Sequence, residues 1–229
     1  MRSSEQILWN TVVANQPFEG VPLFKGKYSA GQYTHKIYHL ASKVPRFVRM
    51  LAPKGSLELQ EKAWNAYPYC QIVLTHPHFM KESFEIRLEV IHLPDRGTTE
   101  NAHDLPPDKL KVREVVHLNI TDATHLAPSD LTAETDPAKF QSEKTGRGPF
   151  DSASWLETCD PVMCVYMLVR VEFKWFGLQR AIERFIHRQY PRLLTKFHRE
   201  LVCWMDKWHG LSMDDIREIE KETKRELDE

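Results

Sequence analysis

Between Val162 and Trp175 every second residue is apolar, with Met163, Val165, Met167, Val169, Val171 and Phe173 on one face of an extended chain. The other face begins apolar and ends polar, at Arg170, Glu172 and Lys174. A strand of this length bends or spans a large curved sheet. The same period recurs upstream. Phe84, Ile86, Leu88 and Val90 alternate with Glu85, Arg87 and Glu89, and Tyr33 to Leu40 is aromatic-rich, as a half-buried strand is. Val116, Leu118 and Ile120 alternate with His117 and Asn119, predicting a further strand.

The period changes in the last third. Leu193, Phe197, Leu201, Trp204 and Trp208 form a helical stripe, continued upstream by Leu178, Ile182, Phe185 and Ile186. Pro191 lies inside that run and is expected to kink or split it. Ser212-Met213-Asp214-Asp215 reads as a capping box opening a charged final helix with a thin stripe at Ile216, Ile219, Thr223 and Leu227. Two short helices are predicted among the strands, Val44 to Leu51 behind a cap at Ser42, and Leu57 to Ala66 ended by Pro68. Thr98 to Pro107 and Ala127 to Ser154 read as loops. Segregated strands and helices predict an α+β fold, a curved antiparallel sheet followed by long helices. A helix laid across such a sheet often leaves a cavity.

Composition narrows the function. The chain has 229 residues, and its 31 Lys+Arg against 32 Asp+Glu give a net charge of −1, without the basic excess of a nucleic-acid binder. No stretch approaches the ~18 apolar residues of a membrane span. The start, MRSSEQILWNTVV, lacks the apolar core and cleavage site of a secretory signal. Cys70, Cys159, Cys164 and Cys203 form no CxxC and are too scattered for a disulfide scaffold, so a reduced, cytosolic setting is expected. Cys159 and Cys164, flanking a strand start, read as buried, inert thiols.

No P-loop, GxSxG, HExxH or GxGxxG is present, and no nucleophile–base pair or metal cluster is visible, so neither an enzyme nor a metal site is expected. Lys144 to Pro149 (KTGRGP) looks like a phosphate loop but lacks the flanking strand-to-helix pattern, and His76-Pro77-His78 reads as a surface turn. Three constellations stand out. Thr34 and Lys36 share a strand face. Glu61 and Asn65, four apart, share a face of the predicted helix. Trp175 and Phe176 are adjacent aromatics where the long strand meets the helix, so one ring can be left outside as an apolar prong for a membrane interface.

The runs GQYTHKIYHL (Gly31 to Leu40), SKVPRFVRMLAP (Ser42 to Pro53), EKAWNAYPYC (Glu61 to Cys70), DPAKF…KTGRGP (Asp136 to Pro149), FKWFGLQ (Phe173 to Gln179) and MDDIR…ETKR (Met213 to Arg225) resemble the phosphatidylinositol transfer proteins, most of all their small single-domain class. The resemblance covers nearly everything from Asn10 onward. It implies a lipid-transfer fold of the StAR-related kind, in which a concave antiparallel sheet and long helices enclose one phospholipid. It implies a monomer, cytoplasmic and transiently on membrane surfaces, that moves phosphatidylinositol and phosphatidylcholine without covalent chemistry. The lipid is then cargo and no cofactor is needed. Shielding two acyl chains, at about 25 cal/mol per Å², is the main binding term.

By resemblance, Thr34, Lys36, Glu61, Asn65 and Glu220 hold the inositol ring. Each ring hydroxyl left unpaired on burial costs roughly 1–3 kcal/mol, so such a site rejects head groups that lack hydroxyls. Trp175 and Phe176 match the family's membrane-inserting pair, with Phe where a second Trp is usual. Ser142 matches a serine proposed as a kinase target, where phosphorylation adds about two negative charges.

There are departures. Residues 1–8 do not resemble the family, and residues 9–229 are expected to form one transfer domain without the usual first strand and helix. Ile72 and Val90 stand where the family has phosphate-contacting threonines, and Met167 where it has a lysine. A buried phosphodiester without donors is costly. These changes motivate two alternatives, a lipid-binding regulatory module that has lost transfer and a truncated gene product.

Overall fold

The computed structural model describes residues 10–40, 57–151 and 154–228. The helix expected at Val44 to Leu51, the run Ser42 to Pro53 and residues 1–8 lie outside the described residues. The chain divides into two compact units. One comprises Met1–Asp104, Met163–Glu183 and Ile219–Glu229, the other Leu105–Val162 and Arg184–Glu218.

The first unit is built on a six-stranded sheet in sequence order, each neighbouring pair antiparallel. Its strands are β1 (Asn10–Leu23), β2 (Tyr28–His39), β3 (Glu58–Ala66), β4 (Tyr69–His76), β5 (Lys81–Leu93) and β6 (Cys164–Phe173). The expected strands at Tyr33 to Leu40, Phe84 to Val90 and Val162 to Trp175 are therefore present as β2, β5 and β6.

The predicted helix at Leu57 to Ala66 is instead β3. Its residues show no clean period-two pattern, and even spacing puts Glu61 and Asn65 on one face in either geometry. What decides is non-local. Strands on both sides, Gln32 to His39 and Tyr69 to Thr75, satisfy its backbone through ladders. Gly31 lets β2 and β3 approach, because a Cβ there would lie 2.1 Å from the Asn65 carbonyl oxygen.

Behind the sheet, Leu23, Ala66, Tyr69 and Ile91 form a buried cluster, packed by Phe24, Tyr28 and Trp64. The Tyr28 and Tyr69 rings stack 5.6 Å apart.

The second unit is loop-rich, with short helices α1 (Pro107–Leu110) and α2 (Trp155–Thr158). The helix α3 (Gln179–Cys203) starts in the first unit and continues into the second, followed by α4 (Met205–Trp208) and α5 (Met213–Asp228). Arg192 grips Asp130 with two hydrogen bonds, Nε to Oδ2 at 2.7 Å and an Nη to Oδ1 at 2.9 Å. Arg199, itself buried, donates to the Ile120 carbonyl at 2.7 Å. These anchors follow Pro191 by one and eight residues, and α3 runs through the proline unbroken, contrary to the expected split.

The strand expected at Val116 to Ile120 is irregular chain. There a side chain, Arg199, takes the Ile120 carbonyl that a ladder would pair, and the Asn119 side chain accepts from Trp155 Nε1 at 3.2 Å. The apolar stripe of Leu193, Phe197, Leu201, Trp204 and Trp208 is exposed by 39–59 %, while Thr195, Arg199 and Cys203 on another face of the helix are buried. The predicted box at Ser212 forms. Ser212 N–H donates to Asp215 Oδ2 at 2.8 Å, and Asp215 N–H donates to Ser212 Oγ at 3.1 Å.

Candidate ligand-binding site

Cross-strand register assembles one face of the sheet. One row reads Val12, Lys36, Glu61, Leu74, Ile86, Val171 from β1 to β6. The next reads Asn15, Thr34, Ala63, Ile72, Leu88, Val169, and the third Pro17, Gln32, Asn65, Cys70, Val90, Met167. The face is polar over β1–β3 and apolar over β4–β6. Phe84, Ile86, Leu88 and Val90 are buried to 7–8 % exposure.

Four of the sequence-predicted residues, Thr34, Lys36, Glu61 and Asn65, thus occupy one patch spanning two strands and three rows. Lys36 Nζ lies 4.0 Å from Glu61 Oε1, and the Tyr38 hydroxyl donates to Glu61 Oε2 at 2.9 Å. Burial, then the Glu61 charge and hydrogen bond, push the Tyr38 hydroxyl well above its ordinary pKa, so it stays a donor. Burial and the Glu61 charge raise the Cys70 thiol to about 11, which keeps it protonated. Burial likewise raises the Cys164 thiol.

Glu220 reaches the same patch from α5. Its Oε2 accepts from Asn15 Nδ2 at 3.0 Å, and Asn15 Oδ1 accepts from Gln32 Nε2 at 2.5 Å. A register shift between Val12 and Ala14 turns Asn15 onto this face, three residues after Val12 instead of two or four. Asn15, Gln32 and Tyr38 were not singled out in the sequence. Tyr38 and Gln32 follow the spacing of Lys36 and Thr34 along β2 and were findable. Asn15 depends on the bulge and carries no local signal.

The other predicted residues lie apart. Trp175 and Phe176 follow β6 with exposures of 47 % and 103 %. The Trp175 ring lies 6.2 Å from Phe79 in the β4–β5 turn, and Lys174 N–H donates to the Ser83 carbonyl at 2.7 Å, joining the two tips. His76 ends β4 and is buried, while His78 lies in the turn and is exposed.

Ser142 is 1 % exposed and donates to Asp206 Oδ1 at 2.5 Å. The backbone N–H groups of Glu143 and Lys144 donate to the same carboxylate at 2.9 and 3.1 Å. The turn that looks like a phosphate loop therefore opens onto a carboxylate of its own chain, and the Ser142 bond foremost holds the Asp206 carboxyl below its ordinary range.

Among the described residues, no group of three or more His, Cys, Asp or Glu is arranged to hold a metal ion. No helix among them is long and apolar enough to cross a membrane.

The family model described as phosphatidylinositol transfer protein matches residues 5–225. The beta isoform of phosphatidylinositol transfer protein from Homo sapiens is 50% identical over 221 residues, covering 95% of this chain and 79% of that protein. Phosphatidylinositol transfer protein 1 of Dictyostelium discoideum is 45% identical over 217 residues, covering 94% of this chain and 79% of that protein. The membrane-associated phosphatidylinositol transfer protein 1 of Homo sapiens is 41% identical over 221 residues, 94% of this chain and 17% of that protein.

Proposed function

The chain belongs to the phosphatidylinositol transfer protein family, and from that premise we propose that it binds one molecule of phosphatidylinositol and carries it between membranes. The observation that carries the reading is the two-part sheet face. Polar groups of β1–β3 with Glu220 suit a polyhydroxylated ring, and the apolar half on β4–β6 suits acyl chains. Lys36 donates to ring hydroxyls while Glu61 and Glu220 accept from them and balance its charge. Thr34 and Asn65 add one hydroxyl and one amide. No bond is made or broken in the cargo.

In this reading residues 9–229 act as a single domain of the StAR-related kind, with the concave sheet and long helices enclosing the lipid. The protein works as a cytoplasmic monomer. Phosphatidylcholine is a second cargo, held through its acyl chains. Trp175 and Phe176 enter the bilayer surface during exchange, favoured by their exposure and by the neighbouring Phe79. Ser142 as a kinase target requires the loop to open, since its hydroxyl is buried against Asp206.

A second reading, a lipid-binding module without transfer, is favoured by one observation. Ile72, Val90 and Met167 keep the face apolar in the rows that contain Thr34 and Asn65, where donors to a phosphate would serve. Transfer of labelled phosphatidylinositol between vesicles separates the two. Transfer above buffer supports the first reading, and a folded protein with none refutes it. Native mass spectrometry adds the cargo's identity, a bound phospholipid for transfer and a neutral lipid for the second reading.

A further inference from the structure

Lys36 and Glu61 stand directly opposite each other on β2 and β3 with opposite charges, yet their nearest charged atoms are 4.0 Å apart. An ammonium and a carboxylate free to meet close to about 2.7–2.9 Å. Tyr38 accounts for the gap. It lies two residues beyond Lys36 on the same face of β2 and stands opposite Leu59. From there its long side chain reaches diagonally to Glu61, where the hydroxyl donates to Oε2 at 2.9 Å. Burial above all keeps that hydroxyl protonated, so it holds the carboxylate as a donor. Among the described residues Lys36 Nζ makes no hydrogen bond, and its three donors remain for a ligand.

We infer that Tyr38 is a positioning residue for head-group choice, which holds Glu61 back from Lys36 and so keeps the Lys36 ammonium open to the inositol ring. The inference rests on the proposed function. Without the hydroxyl, Glu61 is released to swing onto Lys36. The close ion pair that then forms must be broken before the ammonium can donate to a ring hydroxyl. Tyr38 acts through Glu61 and need not touch the ring itself. A choline head group has no hydroxyl for Lys36 to meet, so phosphatidylcholine is indifferent to the change.

The test is Tyr38→Phe, made in the unaltered chain and in a Glu61→Gln background. The substitution removes one oxygen and keeps the ring and its packing. Each protein is equilibrated with vesicles holding both phosphatidylinositol and phosphatidylcholine, and the ratio of the two lipids bound is read by native mass spectrometry. Tyr38→Phe is expected to lower that ratio about tenfold, the effect of one charged hydrogen bond lost to the ring. Phosphatidylcholine transfer, which reports that the protein is folded, should stay within about twofold of the unaltered chain. With Gln at position 61 no anion is left to capture the ammonium, so adding Tyr38→Phe is expected to change the ratio less than about twofold further. A merely structural part for the hydroxyl would cost the same in both backgrounds. An unchanged ratio in the single variant, equal loss of both lipids, or the same fall in both backgrounds would each overturn the inference. An unaltered chain that carries no phosphatidylinositol overturns the proposed function and, with it, this role for Tyr38.

Discussion

Replacing Lys36 with alanine separates head-group binding from folding. Lys36 and Glu61 are 36 % and 18 % exposed and 4.0 Å apart, a loose, partly solvated pair. Such a pair contributes about 0–1 kcal/mol to stability, and Tyr38 remains to hold Glu61 after the change. For a chain of this size that is a fall in Tm of about 4 °C at most. A hydrogen bond from a charged donor to a buried hydroxyl contributes about 1.5–3 kcal/mol, so phosphatidylinositol binding should weaken about 10- to 150-fold. Phosphatidylcholine has a cationic head and no ring hydroxyls, so removing a neighbouring cation leaves it unchanged or slightly favoured. The assay is parallel transfer of the two labelled lipids between vesicles, with a thermal melt of the same preparation. Equal loss of both activities with an unchanged melt would refute the assignment of Lys36 to the ring.

Three further outcomes are expected. Removing both rings with Trp175→Ala and Phe176→Ala deletes about 150–250 Å² of apolar surface per residue, so co-sedimentation with vesicles should fall at least tenfold while the melt is unchanged. Gly31→Ala drives a Cβ to 2.1 Å from the Asn65 oxygen; this overpacking costs about 1–3 kcal/mol, lowers the Tm, and reduces phosphatidylinositol transfer more than phosphatidylcholine transfer because Asn65 is displaced. The Arg192 hydrogen bonds, foremost, hold the Asp130 carboxyl at about 2. Its depressed pKa favours the fold while the group is ionised, a contribution of about 2 kcal/mol that is complete above about pH 5 and lost as pH falls from about 4 towards 2. Urea melts across that range check it, and Arg192→Ala, which strands a side chain only 1 % exposed, should cost about 3 kcal/mol at neutral pH.

The strands with clean alternation were legible. β5 and β6 could be read from Phe84 to Val90 and from Met163 to Phe173, because a sheet with one apolar face writes itself at period two. β3 was not, since its side chains alternate poorly and its hydrogen bonds go to segments far along the chain. Glu61 and Asn65 were nevertheless paired correctly for the wrong reason, a spacing of four being common to one helix face and one strand face. The Val116 to Ile120 alternation was a false strand, whose groups bond to Arg199 and Trp155 side chains instead. The apolar stripe from Leu193 to Trp208 was seen, but not that it would be exposed while Arg199 was buried; a buried guanidinium depends on the Ile120 carbonyl and Asp136, which no local pattern announces. Asn15 escaped because a one-residue bulge decides which way it faces.

The division of the sheet face between β3 and β4 has an evolutionary consequence. Groups suited to a head and groups suited to tails sit on different strands and share no side chain, so each half is free to mutate without disturbing the other. If the proposed function holds, a descendant could acquire a new head-group preference by changing β1–β3 and the residue at Glu220, with the apolar half inherited intact. Selectivity and capacity are then separately heritable traits of one continuous surface.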